Sequence, residues 1–136
     1  MRKIMIVDDN YLSAEGIEKN IDWEVLNAEI VHICYNGTSA IDAMKKEPVD
    51  LIISDIEMPD LDGISMSRQA LDINPMVKII LISAYDKFEY ARRALLLGAL
   101  DYIEKPLDYA YLIQKVKNAF ALIEREQKNL QLLKQS

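Results

Sequence analysis

The run LIISDIEMPDLDG, Leu51 to Gly63, carries an apolar segment straight into a carboxylate. Leu51, Ile52 and Ile53 show neither alternation nor helical spacing, so they read as a strand covered on both faces. Asp55 ends that strand. Glu57, Pro59, Asp60, Asp62 and Gly63 then have the composition of a loop. An acid at the end of a buried strand is costly unless something offsets its charge. The chain already carries a formal net charge of -6, so the offset has to be local.

Four more short apolar runs flank this one: KIMIV at 3–7, EIVHICY at 29–35, KIILIS at 78–83 and DYIE at 101–104. Segments of helical spacing separate them. The first runs from Tyr11 to Asn20. The second starts near Thr38, after the Asn36–Gly37 turn, and stops before Pro48. The third covers Ile64 to Ile73 and closes at Asn74–Pro75. The fourth covers Asp86 to Leu97 and stops at Gly98. The fifth starts after Asp108, a good N-cap, and continues to about Lys134. Strict alternation of strand and helix predicts a parallel sheet with helices on both faces. Five such units in 136 residues fit a single open, doubly wound α/β domain and not a barrel.

In such sheets function collects where the strands end, near the point at which strand order reverses. Asp8 and Asp9 follow the first strand, Asp55 the third, Ser83 the fourth, and Lys105 and Pro106 the fifth. The second strand ends in Asn36 and Gly37, which read as turn chemistry only. Three carboxylates drawn together raise one another's pKa unless a cation is present. Mg2+ suits them, because it takes oxygen ligands, needs few carboxylates and keeps its waters. A lysine and a hydroxyl beside such an ion suit phosphoryl oxygens, and an aspartate can itself be the nucleophile. Singly, each residue has an ordinary explanation as a cap, a turn or a loop. Their joint position at the right strand ends is what points to a site.

The segments IMIVDDN, LIISDIEMPDLDG, ILISAYD and DYIEKP resemble the four signature segments of the receiver domain of two-component response regulators, over about residues 3–122. The resemblance implies a flavodoxin-like fold with a five-stranded parallel sheet of order 2-1-3-4-5 and five helices. It implies Asp55 as phosphoacceptor. It implies Mg2+, with Mn2+ as a substitute, on Asp9, Asp55 and the backbone carbonyl of Glu57, Asp8 acting mainly through water. Lys105 would hold one phosphoryl oxygen and Ser83 would move to bond another. Tyr102 would be the switch aromatic, and Pro106 would follow a cis peptide bond. Met58, Pro59 and Gly63 would shape the loop, with Asp60 and Asp62 as solvated turn acids. By the same resemblance Glu57 and Tyr85 would flank the path of attacking water, where they would slow or orient hydrolysis.

The implied function is a signalling switch. A histidine kinase would supply the phosphoryl group, and the face made by the fourth helix, fifth strand and fifth helix would change to control a transcriptional output domain. The only chemistry of its own would be self-phosphorylation and autodephosphorylation. Two other classes fit less well. An aspartate-nucleophile phosphatase usually has Asp-x-Asp after the first strand, whereas Asp8 and Asp9 are adjacent. A flavin module needs a glycine- and hydroxyl-rich phosphate loop, whereas DDNYLS has two acids and no glycine.

Residues 1–122 read as the receiver and 123–136 as a helical extension or linker toward an output domain. Ile113, Val116, Phe120, Ile123, Gln127 and Leu130 form a weak heptad seam. The polar stretch from Glu124 onward is expected not to reach the sheet. NIDWEVLNAEI and YDKFEYARRALLLGALDYIEKPLD resemble receivers attached to AraC-type helix-turn-helix domains. DNA would be met only through that domain, in keeping with the acidic balance of this chain. Candidate homodimer surfaces are the fourth helix–fifth strand–fifth helix face and the C-terminal helix. Tyr90, Arg92, Arg93, Tyr109 and Tyr111 are a candidate docking cluster, or else plain helix surface. Trp23 is expected to cap the core, Cys34 to be a small core residue and His32 to lie half-buried on a strand. The apolar run after Arg2 and Lys3 ends at Asp8, too short for a signal peptide. No stretch approaches the ~20 apolar residues of a membrane span, so a cytoplasmic location without a membrane partner is expected.

Overall fold

A computed structural model describes residues 1–84 and 88–135, Phe88 by its backbone only. The elements alternate as β1 (Arg2–Val7), α1 (Tyr11–Asn20), β2 (Ala28–Cys34), α2 (Gly37–Lys46), β3 (Leu51–Asp55), α3 (Gly63–Ile73), β4 (Lys78–Ser83), α4 (Phe88–Leu97), β5 (Asp101–Glu104) and α5 (Tyr109–Gln135). All strand pairs are parallel, in the order β2-β1-β3-β4-β5. The expected doubly wound fold is the observed one. The expected start of the fourth helix near Asp86 lies outside the described residues.

The period of two along each strand sorts the core into two layers. Ile4, Ile6, Ile53, Ile80 and Ile82 face α1 and α5, packing on Ala14, Ile17, Leu112, Val116 and Ala119. Met5, Val7, Ile52, Ile79 and Leu81 face the opposite way, onto Ala40, Met44, Ile64, Ala70 and Ala94. Every residue of β3 is buried, which is why its sequence shows no polar face. Trp23 closes one end of the α1–α5 layer, its indole N–H donating to the Ile17 carbonyl at 3.3 Å. Cys34 is buried, and His32 is half-buried with its Nε2 2.9 Å from the Glu47 carbonyl oxygen.

Side-chain caps start the helices where the strands hand over. Asn10 accepts from the N–H groups of Leu12 and Ser13, and Asn36 from that of Ser39. Two acids expected to be merely solvated do the same. Asp62 caps α3 by accepting from Ser65 N–H at 2.8 Å. Asp60 reaches across to α2 and accepts from Gly37 and Thr38 N–H at 3.2 and 3.1 Å. Hydrogen bonds from Thr38, led by its side chain, hold the Asp60 carboxyl at about 2. After α4 the chain reverses at Gly98 with φ of 93°, a conformation that favours glycine.

α5 buries Leu112, Val116, Ala119 and Ile123. The expected seam is therefore occupied by the protein's own sheet as far as Ile123. The expectation that Glu124 onward stays clear of the sheet is corrected by two contacts at its amino-terminal edge. Both carboxylate oxygens of Glu126 lie 2.8 Å from Lys78 Nζ. Arg2 Nη1 donates to Gln127 Oε1 at 3.1 Å. The sequence pattern missed them because they are polar and lie outside the apolar period. Among the described residues no helix is long and apolar enough to cross a membrane.

Candidate functional site

The strand order reverses between β1 and β3, whose neighbours lie on opposite sides. That arrangement opens a crevice above their carboxyl ends. Val7 pairs with Ser54 in register, so Asp8 and Asp55 leave adjacent strands at the same level. One carboxylate oxygen each from Asp8, Asp9 and Asp55 falls within 4.8 Å of the others. Asp8 and Asp55 are buried, whereas Asp9 is exposed. Asp8 is oriented by the Asn10 backbone N–H, which donates to Oδ1 at 2.9 Å. Asn10 thus both caps α1 and fixes an acid of the cluster, a double use that the sequence reading missed.

Among the described residues, Lys105 faces the cluster. Lys105 Nζ lies 3.7 Å from Asp8 Oδ2 and 3.8 Å from Asp55 Oδ1. It is carried there by β5, whose backbone continues past the strand through Lys105 N–H donating to the Ser83 carbonyl at 2.8 Å. The Lys105–Pro106 peptide bond is cis, as the resemblance implied. A single cation at that distance does not neutralise three acids. Burial, and then the charge of Asp8, push the Asp55 carboxyl up to about 6, against the opposing pull of Lys105. Burial raises Asp8 as well.

The loop after β3 is tightly held. Ile56 N–H continues the ladder to the Ile82 carbonyl at 2.9 Å, and Gly63 N–H donates back to the Ile56 carbonyl at 2.7 Å. A Cβ at Gly63 would run into the Asp55 carbonyl and come within 2.9 Å of Ile56 Cα, so only glycine fits. Ser83 is fully buried at the end of β4, and its hydroxyl donates to Glu57 Oε1 at 3.1 Å. Pro59 and Glu57 line a cavity of about 450 Å³ together with Asp9, Asp62, Tyr90 and Arg93. Tyr102 is half-buried, packs against the α2–α4 layer, and lines a surface groove with Ala91 of α4 and Tyr111 of α5. Tyr85 lies outside the described residues.

The expected cluster of tyrosines and arginines is not one patch. Tyr90 and Arg93 line the cavity beside Asp9 and Glu57. Tyr109 packs in the other layer, with α1 and α5. Tyr111 is exposed with Lys115 Nζ 5.1 Å above its ring, and Arg92 pairs with Glu89 at 3.5 Å. Tyr90 and Arg93 share a helix face at i, i+3 spacing. That spacing is the signal that could have separated them from the rest.

The donor set, three carboxylates, is suited to a hard divalent cation. A buried aspartate with a raised pKa beside a lysine and a buried hydroxyl suits phosphoryl chemistry. Residues 4–117 match the family model described as the response regulator receiver domain. The chain belongs to that family. It is 34% identical to the receiver domain of AraT, a response regulator from Geobacillus stearothermophilus, with a TM-score of 0.86 over 93% of this chain and 98% of that one. A two-component transcriptional regulator AraC from Clostridium phytofermentans is 29% identical, with a TM-score of 0.83 over 95% and 99% of the respective chains. The transcriptional regulatory protein HptR of Staphylococcus aureus is 32% identical over 82% of this chain and 44% of its own length. The chain spans less than half the length of such curated relatives. It is a receiver domain of the two-component response-regulator type, a class that works by phosphorylation-based signalling and not as a classical enzyme. Receivers bind Mg2+ at an acidic pocket, and Asp8, Asp9 and Asp55 form an acidic cluster here.

Proposed function

We propose that this chain is a switch in which Asp55 accepts a phosphoryl group from a histidine kinase. The observation that carries the proposal is the position of Asp55, buried at the end of the central strand with two further carboxylates and one lysine around it. Asp9, Asp55 and the Glu57 carbonyl would hold Mg2+ or Mn2+, with Asp8 acting through water and through Lys105. When bound, the ion offsets the carboxylates and the charge of the transferring phosphoryl oxygens. An Asp55 carboxylate oxygen attacks phosphorus while the phosphorus–nitrogen bond of the kinase phosphohistidine breaks. The products are an acyl phosphate and a neutral imidazole that has taken up a proton. Lys105 holds one phosphoryl oxygen with a charge-assisted hydrogen bond and Ser83 donates to another. Arg93, on the wall of the adjoining cavity, offers an entering phosphodonor a positive charge. The Glu57 side chain sets how long the acyl phosphate survives attack by water, so Glu57→Ala is expected to change its half-life.

Movement of Ser83 toward the phosphoryl group would let Tyr102 repack, reshaping the α4–β5–α5 face. Residues 1–122 act as the receiver, and 123–136 extend it helically toward a transcriptional output domain that alone meets DNA. That face or α5 would serve for a homodimer, and the switch would work in the cytoplasm. The likeness to AraC-type regulators and to HptR supports a transcriptional output. Incubation with Mg2+ and acetyl phosphate, read by intact mass, is expected to add one phosphoryl group. Asp55→Asn is expected to abolish the addition with the fold retained by circular dichroism, and modification that survives this change overturns the proposal.

A further inference from the structure

The Ser83 hydroxyl has one proton and can donate it to one acceptor at a time. Among the described residues it donates to Glu57 Oε1 at 3.1 Å. The acceptor is a carboxylate on a half-buried residue, two positions beyond Asp55 on a loop that is pinned at both ends. Hydrogen bonds to charged groups are about twice as strong as neutral ones. Ser83 itself is fully buried, so water does not readily replace the partner it leaves. We infer that the Glu57 carboxylate is a positioning residue that holds Ser83 in the resting state and competes with the phosphoryl group for its hydroxyl.

The inference rests on the reading of Asp55 as phosphoacceptor and goes beyond it. It gives the Glu57 side chain a role separate from that of its backbone carbonyl and from any effect on attacking water. Phosphorylation then costs the protein one charge-assisted hydrogen bond before Ser83 is recruited. The strength of that bond sets how far a phosphoryl group shifts the switch. A carboxylate so placed also favours the resting position of Ser83 in the unmodified protein.

The test is a double-mutant cycle on the whole chain, with the affinity for beryllium fluoride at saturating Mg2+ as readout. Glu57→Ala keeps the backbone carbonyl and removes the competing acceptor. Its affinity is expected to rise about tenfold, the effect of one hydrogen bond to a charged group. In a Ser83→Ala background the same change is expected to have no more than a twofold effect. Glu57→Gln, which keeps an acceptor oxygen without the charge, is expected to fall between. A full tenfold gain that persists without the Ser83 hydroxyl shows simple relief of charge repulsion and overturns the inference. Beryllium fluoride binding that survives Asp55→Asn instead overturns the phosphoacceptor reading, so the two failures are distinct. A measurement on the unmutated protein covers the case of a variant that does not fold. The carboxyl carbon resonance of Glu57 is expected to shift when beryllium fluoride and Mg2+ are added, as it loses its donor. A resonance that stays in place while those of Asp55 and Lys105 move overturns the inference.

Discussion

The two edges of the sheet treat charge in opposite ways. At the amino-terminal edge, three lysines close on carboxylates. Lys3 lies 2.9 Å from Glu47, Lys78 2.8 Å from Glu126, and Lys115 3.0 Å from Asp101. At the carboxyl-terminal edge, Lys105 stands 3.7 and 3.8 Å from two acids, with a third within reach of both. The first arrangement is structural pairing. The second is an unbalanced cluster whose Asp55 pays for its position with a pKa of about 6. The contrast separates a site built to bind charge from contacts that merely fasten helices to a sheet.

The sharpest way to break the contrast is to remove Lys105. Lys105→Met deletes a charge-assisted partner worth roughly 1.5–3 kcal/mol. The equilibrium constant between switched and resting states at saturating beryllium fluoride, read from Tyr102 resonances, is expected to fall by about 10- to 100-fold. Unchanged Tyr102 shifts would show that Lys105 plays no part in the response.

Next in size is the pH dependence of stability without Mg2+. The folded-state pKa of Asp55 lies above its ordinary value of 3.8. The folded state therefore binds this proton more tightly than the unfolded chain does. Its contribution is fully present below about pH 4 and is lost as the pH rises to about 6. The loss is on the order of 2–3 kcal/mol. Asp55→Asn escapes it, so urea melts are expected to show the variant gaining on the parent across that window and staying ahead above it. Equal slopes for the two proteins between pH 4 and 6 would contradict the raised pKa. Added Mg2+ is expected to narrow the gap above pH 6, because it favours the ionised carboxylate.

The amino-terminal edge gives smaller effects. Lys78→Met leaves Glu126 half-buried without its cation and is expected to cost about 1–2 kcal/mol, between exposed and buried pairs. Lys3→Met removes an exposed pair, and its thermal midpoint is expected to stay within the error of the measurement. Neither change should alter phosphorylation by acetyl phosphate. A loss of phosphorylation in Lys78→Met would show that the two edges are coupled.

The fold was legible because buried parallel strands must be apolar along their whole length. LIIS and KIILIS announce themselves without any help from their surroundings. The convergence at the carboxyl ends came from topology, since parallel strands all deliver their next residues to one edge. Less legible was everything that depends on where a side chain reaches. Asp60 lies in the same loop as Asp62, yet one caps a distant helix and the other its own. Arg93 and Arg92 are neighbours in sequence, yet one lines the cavity and the other pairs with Glu89. Tyr109 and Tyr111 part for the same reason, as successive helix positions point about 100° apart. Glu126 escaped notice because a single polar contact leaves no mark on an apolar period.

The contacts of Lys78 with Glu126 and of Arg2 with Gln127 have a mechanical consequence. They are the last places at which α5 touches the rest of the protein among its described side-chain contacts. Beyond them, residues 128–135 continue the helix for about 12 Å. With the pair as fulcrum, a tilt of about 10° would displace the tip by about 2 Å. A chemical event at one edge of the sheet would thus leave the molecule as a small motion at the other. The stiffness of that lever depends on a salt bridge and an amide, far from any phosphoryl group.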